Sequence, residues 1–163
     1  MRGRIGVLIL LCFVFVSCDS NQVFDSYKTV SNGWPKDEVV EFEVIPPDTL
    51  NAYDLFINIR NSSEYKYSNL FLIVEMDYPN GKVQKDTLEY RMTTPEGDFL
   101  GTGFSDVKEN KLWYKQGEVF KESGTYFIKI THAMRRNGTV SGLENLEGVL
   151  DVGFRIERPE KIN

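Results

Sequence analysis

The side chains that carry most enzymatic chemistry are scarce in this chain of 163 residues, which has two cysteines, Cys12 and Cys18, and one histidine, His132. A single imidazole cannot supply the paired histidines of a typical catalytic zinc centre. A serine nucleophile of the G-x-S-x-G kind sits on a strained, exposed turn, and Ser105, within "GTGFSDV", occupies no such frame. The glycines of "GTGF" (101–104) lack the strand-to-helix context of a phosphate-binding loop and read as an ordinary loop. His132 follows a predicted strand ending at Thr131, where a solvated or capping histidine is expected rather than a general base. With 24 acidic residues, chance carboxylate pairs are unavoidable, so no glycosidase pair is assigned. Asp98, Asp106 and Glu109 form a loose acidic loop, read as solvated rather than as a calcium site. No catalytic residue, metal ligand or cofactor site is predicted, and the chain is not expected to be an enzyme. The chemistry that remains falls on Cys18.

That cysteine closes a distinctive N-terminal segment. Arg2 and Arg4 precede an apolar run, Ile5 to Val16, interrupted only by Gly6. About 20 residues are needed to span a bilayer as a helix, and this run is much shorter. A basic start, a short apolar middle and a small residue before a cut make a secretory signal peptide over residues 1–17. Cys12 leaves with it. The ending "FVSC" resembles the lipobox of bacterial lipoproteins, with Phe15 where leucine is usual. The resemblance implies cleavage between Ser17 and Cys18, and lipidation of Cys18 as the new N-terminus. Each buried methylene contributes about 0.8 kcal/mol, and stable anchoring takes more than one chain. The acyl chains implied at such a cysteine meet that need without a spanning helix. Export usually invites disulfides, but no cysteine follows Cys18, so a disulfide framework is excluded from the mature chain.

Without Arg2 and Arg4 the formal charge moves from −5 to about −7. Arg135-Arg136 is the only adjacent pair of basic residues. Nucleic-acid binding needs a basic stripe, and none is predicted. Residues 18–37 are polar, carry Gly33 and Pro35, and read as a lipidated tether. Within it, Trp34 is expected to pack on the edge of the domain that follows.

From residue 38 to 163 the hydrophobic pattern has period two, the signature of half-buried strands. Val40, Phe42 and Val44 share one face, as do Leu55, Ile57 and Ile59, with Asn58 and Arg60 facing away. Leu70, Leu72, Val74 and Met76 align. The other face of that strand begins apolar with Phe71 and Ile73 and turns acidic at Glu75 and Asp77, as for a strand covered at one end only. Asn80-Gly81 predicts a type I′ hairpin turn, returning through a strand with Leu88, Tyr90 and Met92 on one face. Further strands are read around Trp113, over Tyr126–Ile130 and over Val152–Ile156. A helical turn or two is admitted only near "HAMRRN" and "GLENLEG". Roughly eight short strands between Gly, Pro and Asn clusters predict an all-β antiparallel β-sandwich, immunoglobulin-like or jelly-roll.

Aromatic residues make up 13% of the chain, enough for an exposed platform besides the core. Trp34, Trp113 and Tyr114 are the candidate contact surface. Strand alternation sends Trp113 and Tyr114 to opposite faces, so at most one is core. Asp48-Thr49-Leu50 and Asp86-Thr87-Leu88 resemble the D-[ST]-aliphatic acceptor of O-glycosylated exported proteins in Bacteroidota, making Thr49 and Thr87 candidate glycosylation sites.

Three longer stretches carry a family resemblance: "YDLFINIRNSSEYKYSNLFLIVEMDYPNGKVQKDTLEY", "GTGFSDVKENKLWYK" and "LEGVLDVGFRIE". They resemble the gliding-motility lipoprotein GldH family of Bacteroidota, over roughly Cys18 to Glu157. The resemblance implies a lipid-anchored envelope protein needed for surface gliding and linked to type IX secretion, with partners among those envelope proteins. Only the acylated Cys18 carries over as a functional position. The expected role is protein interaction at the cell envelope, in the outer membrane; the alternative is a lipid-anchored carbohydrate-binding module.

Overall fold

In the computed structural model, residues 21–136, 138 and 140–160 are described. They form eight strands: β1 (Gln22–Thr29), β2 (Val40–Val44), β3 (Tyr53–Asn61), β4 (Asn69–Asp77), β5 (Val83–Arg91), β6 (Lys108–Glu118), β7 (Tyr126–His132) and β8 (Val149–Glu157). All strand pairs are antiparallel. One sheet runs β1-β8-β3-β6 and the other β2-β7-β4-β5. First pairs with last, second with seventh, third with sixth and fourth with fifth. This nested pairing is a jelly-roll rather than an immunoglobulin sandwich.

The strand faces follow the alternation in the sequence. Phe42, Leu55, Ile57, Leu72, Met76, Ile128 and Phe154 all point between the sheets and are 2% exposed or less. Full burial of such a side chain contributes about 1.5–3 kcal/mol, so the inner faces of both sheets hold the fold together. On the edge strand β5, Leu88 and Tyr90 are only partly covered, packed against that core.

Three expectations need correction. The segment read as a tether contains β1, whose residues 22–29 pair along β8 from Glu157 to Asp151. Residues 23–27 are half-buried and Gln22, Lys28 and Thr29 exposed, because β1 is an edge strand, and the missing alternation concealed it. Second, Trp34 is fully buried, with its indole N–H donating to the Glu38 carbonyl (3.1 Å). His132, expected at the surface, is also buried, and its ring meets Trp34 edge-on at 5.3 Å. Third, the β4–β5 turn is not type I′. Gly81 N–H donates to the Tyr78 carbonyl (2.9 Å), which makes Pro79 and Asn80 the central pair. Proline holds φ near −65°, which suits the first central position of a type I turn, and Gly81 follows at φ 86°. That is a three-residue hairpin with a glycine bulge.

The connections give the sandwich two unlike ends. At one end lie the start of β1, the end of β8 and the short β4–β5 turn; Arg158 N–H donates to the Asn21 carbonyl there (2.8 Å). At the other lie the connections β1–β2, β3–β4, β5–β6 and β7–β8.

Candidate contact surface

β6 is the edge strand of the first sheet, bridged near its start to Thr102, and Trp113 and Tyr114 sit side by side on it. Alternation separates them as expected. Tyr114 turns inward toward β5, half-buried, and its hydroxyl donates to Asp86 (2.8 Å). Burial, then that hydrogen bond, push its phenol pKa well above the usual range. Trp113 turns outward and stays 54% exposed. Its ring packs on Phe56 of β3 with centroids 4.4 Å apart, because the two residues face each other across the β3–β6 ladder. Its backbone carbonyl accepts from the Tyr90 hydroxyl (2.6 Å), which ties the edge strand to β5. The indole therefore rests on Phe56 on one side while its outer side meets solvent.

Around Trp113 the outer face of this sheet carries an ordered layer of ion pairs that sequence reading missed. Lys111 lies over the Phe56 ring, 4.1 Å from its centroid, and bonds Glu157 (2.7 Å). Arg155 bridges Asp25 (2.6 Å) and Glu157. On the next rungs the Arg60 guanidinium lies 4.1 Å from the Tyr27 ring centroid, and Glu109 accepts from both Tyr27 (2.9 Å) and Arg60 (2.8 Å). Burial raises the Glu109 pKa, but the hydrogen bonds from Arg60 and Tyr27 outweigh it and hold the carboxyl below its usual range. This layer covers β3, so Phe56 and Asn58 are 4% and 2% exposed on the face predicted to meet water. A strand-by-strand pattern shows which way a side chain points, but not that neighbouring side chains will fold over it. That is why the layer was invisible in the sequence.

The remaining sites are scattered. Trp34, in the core, offers no surface. Thr49 lies half-buried in a turn organised by Asp48, whose carboxylate accepts from the Tyr53 hydroxyl (2.6 Å) and from the amides of Leu50 and Asn51. Thr87 is exposed on the outer side of β5. Ser17 and Cys18 lie outside the described residues. Asp98 and Asp106 are exposed in the β5–β6 connection while Glu109 is bound to Arg60 and Tyr27, so the three do not converge. Among the described residues, no group of three His, Cys, Asp or Glu side chains is placed to hold a metal ion.

The class defined by this architecture is a single antiparallel jelly-roll domain with a rigid aromatic and ionic face on one sheet. The chain belongs to the GldH lipoprotein family, whose sequence pattern matches residues 22–156, from the first residue of β1 almost to the end of β8. It is similar to a gliding motility lipoprotein GldH homolog of Christiangramia forsetii, 52% identical over 162 residues that cover 98% of this chain and 99% of that one. It is also similar to the gliding motility lipoprotein GldH of Flavobacterium johnsoniae, 46% identical over 155 residues covering 95% of this chain and 96% of that one. The crystal structure of the infectious bursal disease virus VP2 subviral particle overlaps 83% of this chain and 30% of that one, with a TM-score of 0.37 and 9% identity.

Proposed function

We propose that this protein is a lipid-anchored component of the cell envelope that serves surface gliding by binding another protein, without catalysis of its own. Membership of the GldH lipoprotein family and the names of its relatives support the gliding role. Anchoring is through Cys18, in the outer membrane, and the partners are other gliding and type IX secretion proteins. The observation that carries the binding role is Trp113, a large aromatic more than half exposed whose ring packs on Phe56 and whose backbone carbonyl accepts from the Tyr90 hydroxyl. Rigid, solvent-facing tryptophans are the residues on which binding energy concentrates at protein interfaces.

A photo-crosslinking residue introduced at position 113 in living cells tests this reading. Capture of a motility or secretion component is expected; recovery of none from intact envelopes sinks it. The same exposed indole favours one second reading, a carbohydrate-binding module, because an open ring face also stacks on sugars. Glycan-array binding that disappears in Trp113→Ala is the outcome that selects it.

A further inference from the structure

Cys18 stands three residues before Asn21, whose carbonyl accepts from the Arg158 N–H where the chain enters β1. Three residue steps reach at most about 11 Å. The sandwich is longer than that, since the nine residues of β8 span about 30 Å at about 3.3 Å each. A lipid-bearing Cys18 therefore holds the Asn21 end at the bilayer surface, whichever way the domain leans.

The surfaces around that end decide the lean. The β2–β3 connection, residues 45–52, belongs to it: Pro47, Asp48, Asn51 and Ala52 share a hollow of about 490 Å³ with Arg158 and Pro159. This connection carries Leu50, 87% exposed, and Ile45, 72% exposed. Pro46 and Pro47 stiffen its backbone by fixing φ. The Asp48 carboxylate closes it from within, accepting from the Tyr53 hydroxyl, the Asn51 side chain and the amides of Leu50 and Asn51. The flanks beside the anchor are charged instead. Asp25, Arg155 and Glu157 form ion pairs on the outer face of β1 and β8, and β2 turns Glu41 and Glu43 to solvent. Laying either flank on lipid would strip water from charged groups, which is costly. Standing on the β2–β3 connection strips it from aliphatic side chains.

We propose that the β2–β3 connection is a second membrane contact, with Leu50 and Ile45 set into the boundary between headgroups and acyl chains and the sandwich standing on end. The inference rests on the Cys18-anchored reading and deepens it. The short reach from Cys18 to Asn21 selects a lipid surface as the occupant. Two aliphatic side chains are too few to bind a bilayer unaided. Tethering raises their effective concentration at the surface, so a small gain in burial suffices to set orientation. Leu100, Phe104 and Val107 are also exposed, but they lie in the β5–β6 connection at the opposite end, beyond the reach of the lipid in this pose. The Trp113 face is left open at the side.

The test uses the lipidated protein in phosphatidylcholine vesicles, with one environment-sensitive NBD label at a time on Ile45→Cys, Leu50→Cys or Phe104→Cys. Acylation occupies Cys18 and no cysteine follows it, so each label is unique. Nitroxide-bearing phosphatidylcholine is expected to quench the labels at 45 and 50 at least about twofold, placing them about 5–10 Å into the interface. The label at 104 is expected to stay unquenched. Leu50→Asp should return the label at 45 to the level seen at 104, with the thermal unfolding of the domain unchanged. Equal quenching at all three positions, or no effect of Leu50→Asp, overturns the inference. Shielding of the label at 50 from aqueous iodide without quenching by lipid overturns it in favour of a second copy of the chain. Protein that stays on the vesicles with position 50 unquenched defeats this inference alone; protein that does not stay on them defeats the Cys18 anchor as well.

Discussion

The Tyr27 ring lies across Gly153, so close that a Cβ at 153 would come within 2.8 Å of its Cδ1 atom. The two residues face each other across the β1–β8 ladder. Tyr27 reaches on to Glu109 and carries the Arg60 guanidinium on its ring. The close approach thus joins the N-terminal strand to β8, β3 and β6 through one side chain. Gly153→Ala is expected to push Tyr27 off the sheet and destabilise the domain by about 1–3 kcal/mol, the usual cost of overpacking. Urea unfolding measures this, and an unchanged midpoint contradicts it. Tyr27→Ala in the same background should recover part of the loss, because it removes the ring that clashes.

Trp34 sits outside every strand yet is fully buried. Trp34→Ala is expected to cost about 3–5 kcal/mol, as for other large aromatic truncations. Trp113→Ala should cost only about 1 kcal/mol, the scale of one exposed aromatic pair. Equal losses in thermal unfolding run side by side would refute the assignment of one tryptophan to the core and one to the surface.

His132 makes the domain sensitive to mild acid. Burial holds its imidazole below the ordinary 6.5, opposed by the Trp34 backbone. Since the folded pKa is depressed, the unfolded chain takes up the extra proton first. The stability associated with neutral His132 is therefore complete above about pH 6.5 and declines as the pH falls toward the folded pKa. The melting temperature of the native protein should drop between about pH 7.5 and 5.5. A smaller drop is expected for His132→Leu, which cannot titrate; parallel curves for the two proteins would exclude this role.

On the proposed anchoring, Cys18→Ala is expected to release the protein from the membrane fraction, because it removes the residue that would carry the acyl chains. Fractionation and a colony-spreading assay check it together. Continued membrane association with normal spreading would remove the lipid anchor from the account.

Much of the fold was readable residue by residue. Val40, Phe42 and Val44, or Leu70 through Met76, show their buried faces by alternation alone. The absence of a second histidine and of any cysteine after Cys18 is likewise a property of the chain. The edge strand β1 was not legible, because only part of its face is covered. Nor was the hairpin's true turn, where Pro79 imposes its own φ and displaces Asn80-Gly81 from the central pair.

Local sequence alone sets which residues alternate toward a core, where the chain must turn, and how few histidines and cysteines it holds. These are local properties, set by side-chain type and a spacing of two. The tertiary structure alone decided which strands pair, since backbone donors and acceptors are the same in every strand. It placed β1 beside β8, brought His132 against Trp34, and laid Tyr27 over Gly153. Each of these joins residues far apart in the chain, and such meetings arise only when the sheets close on one another.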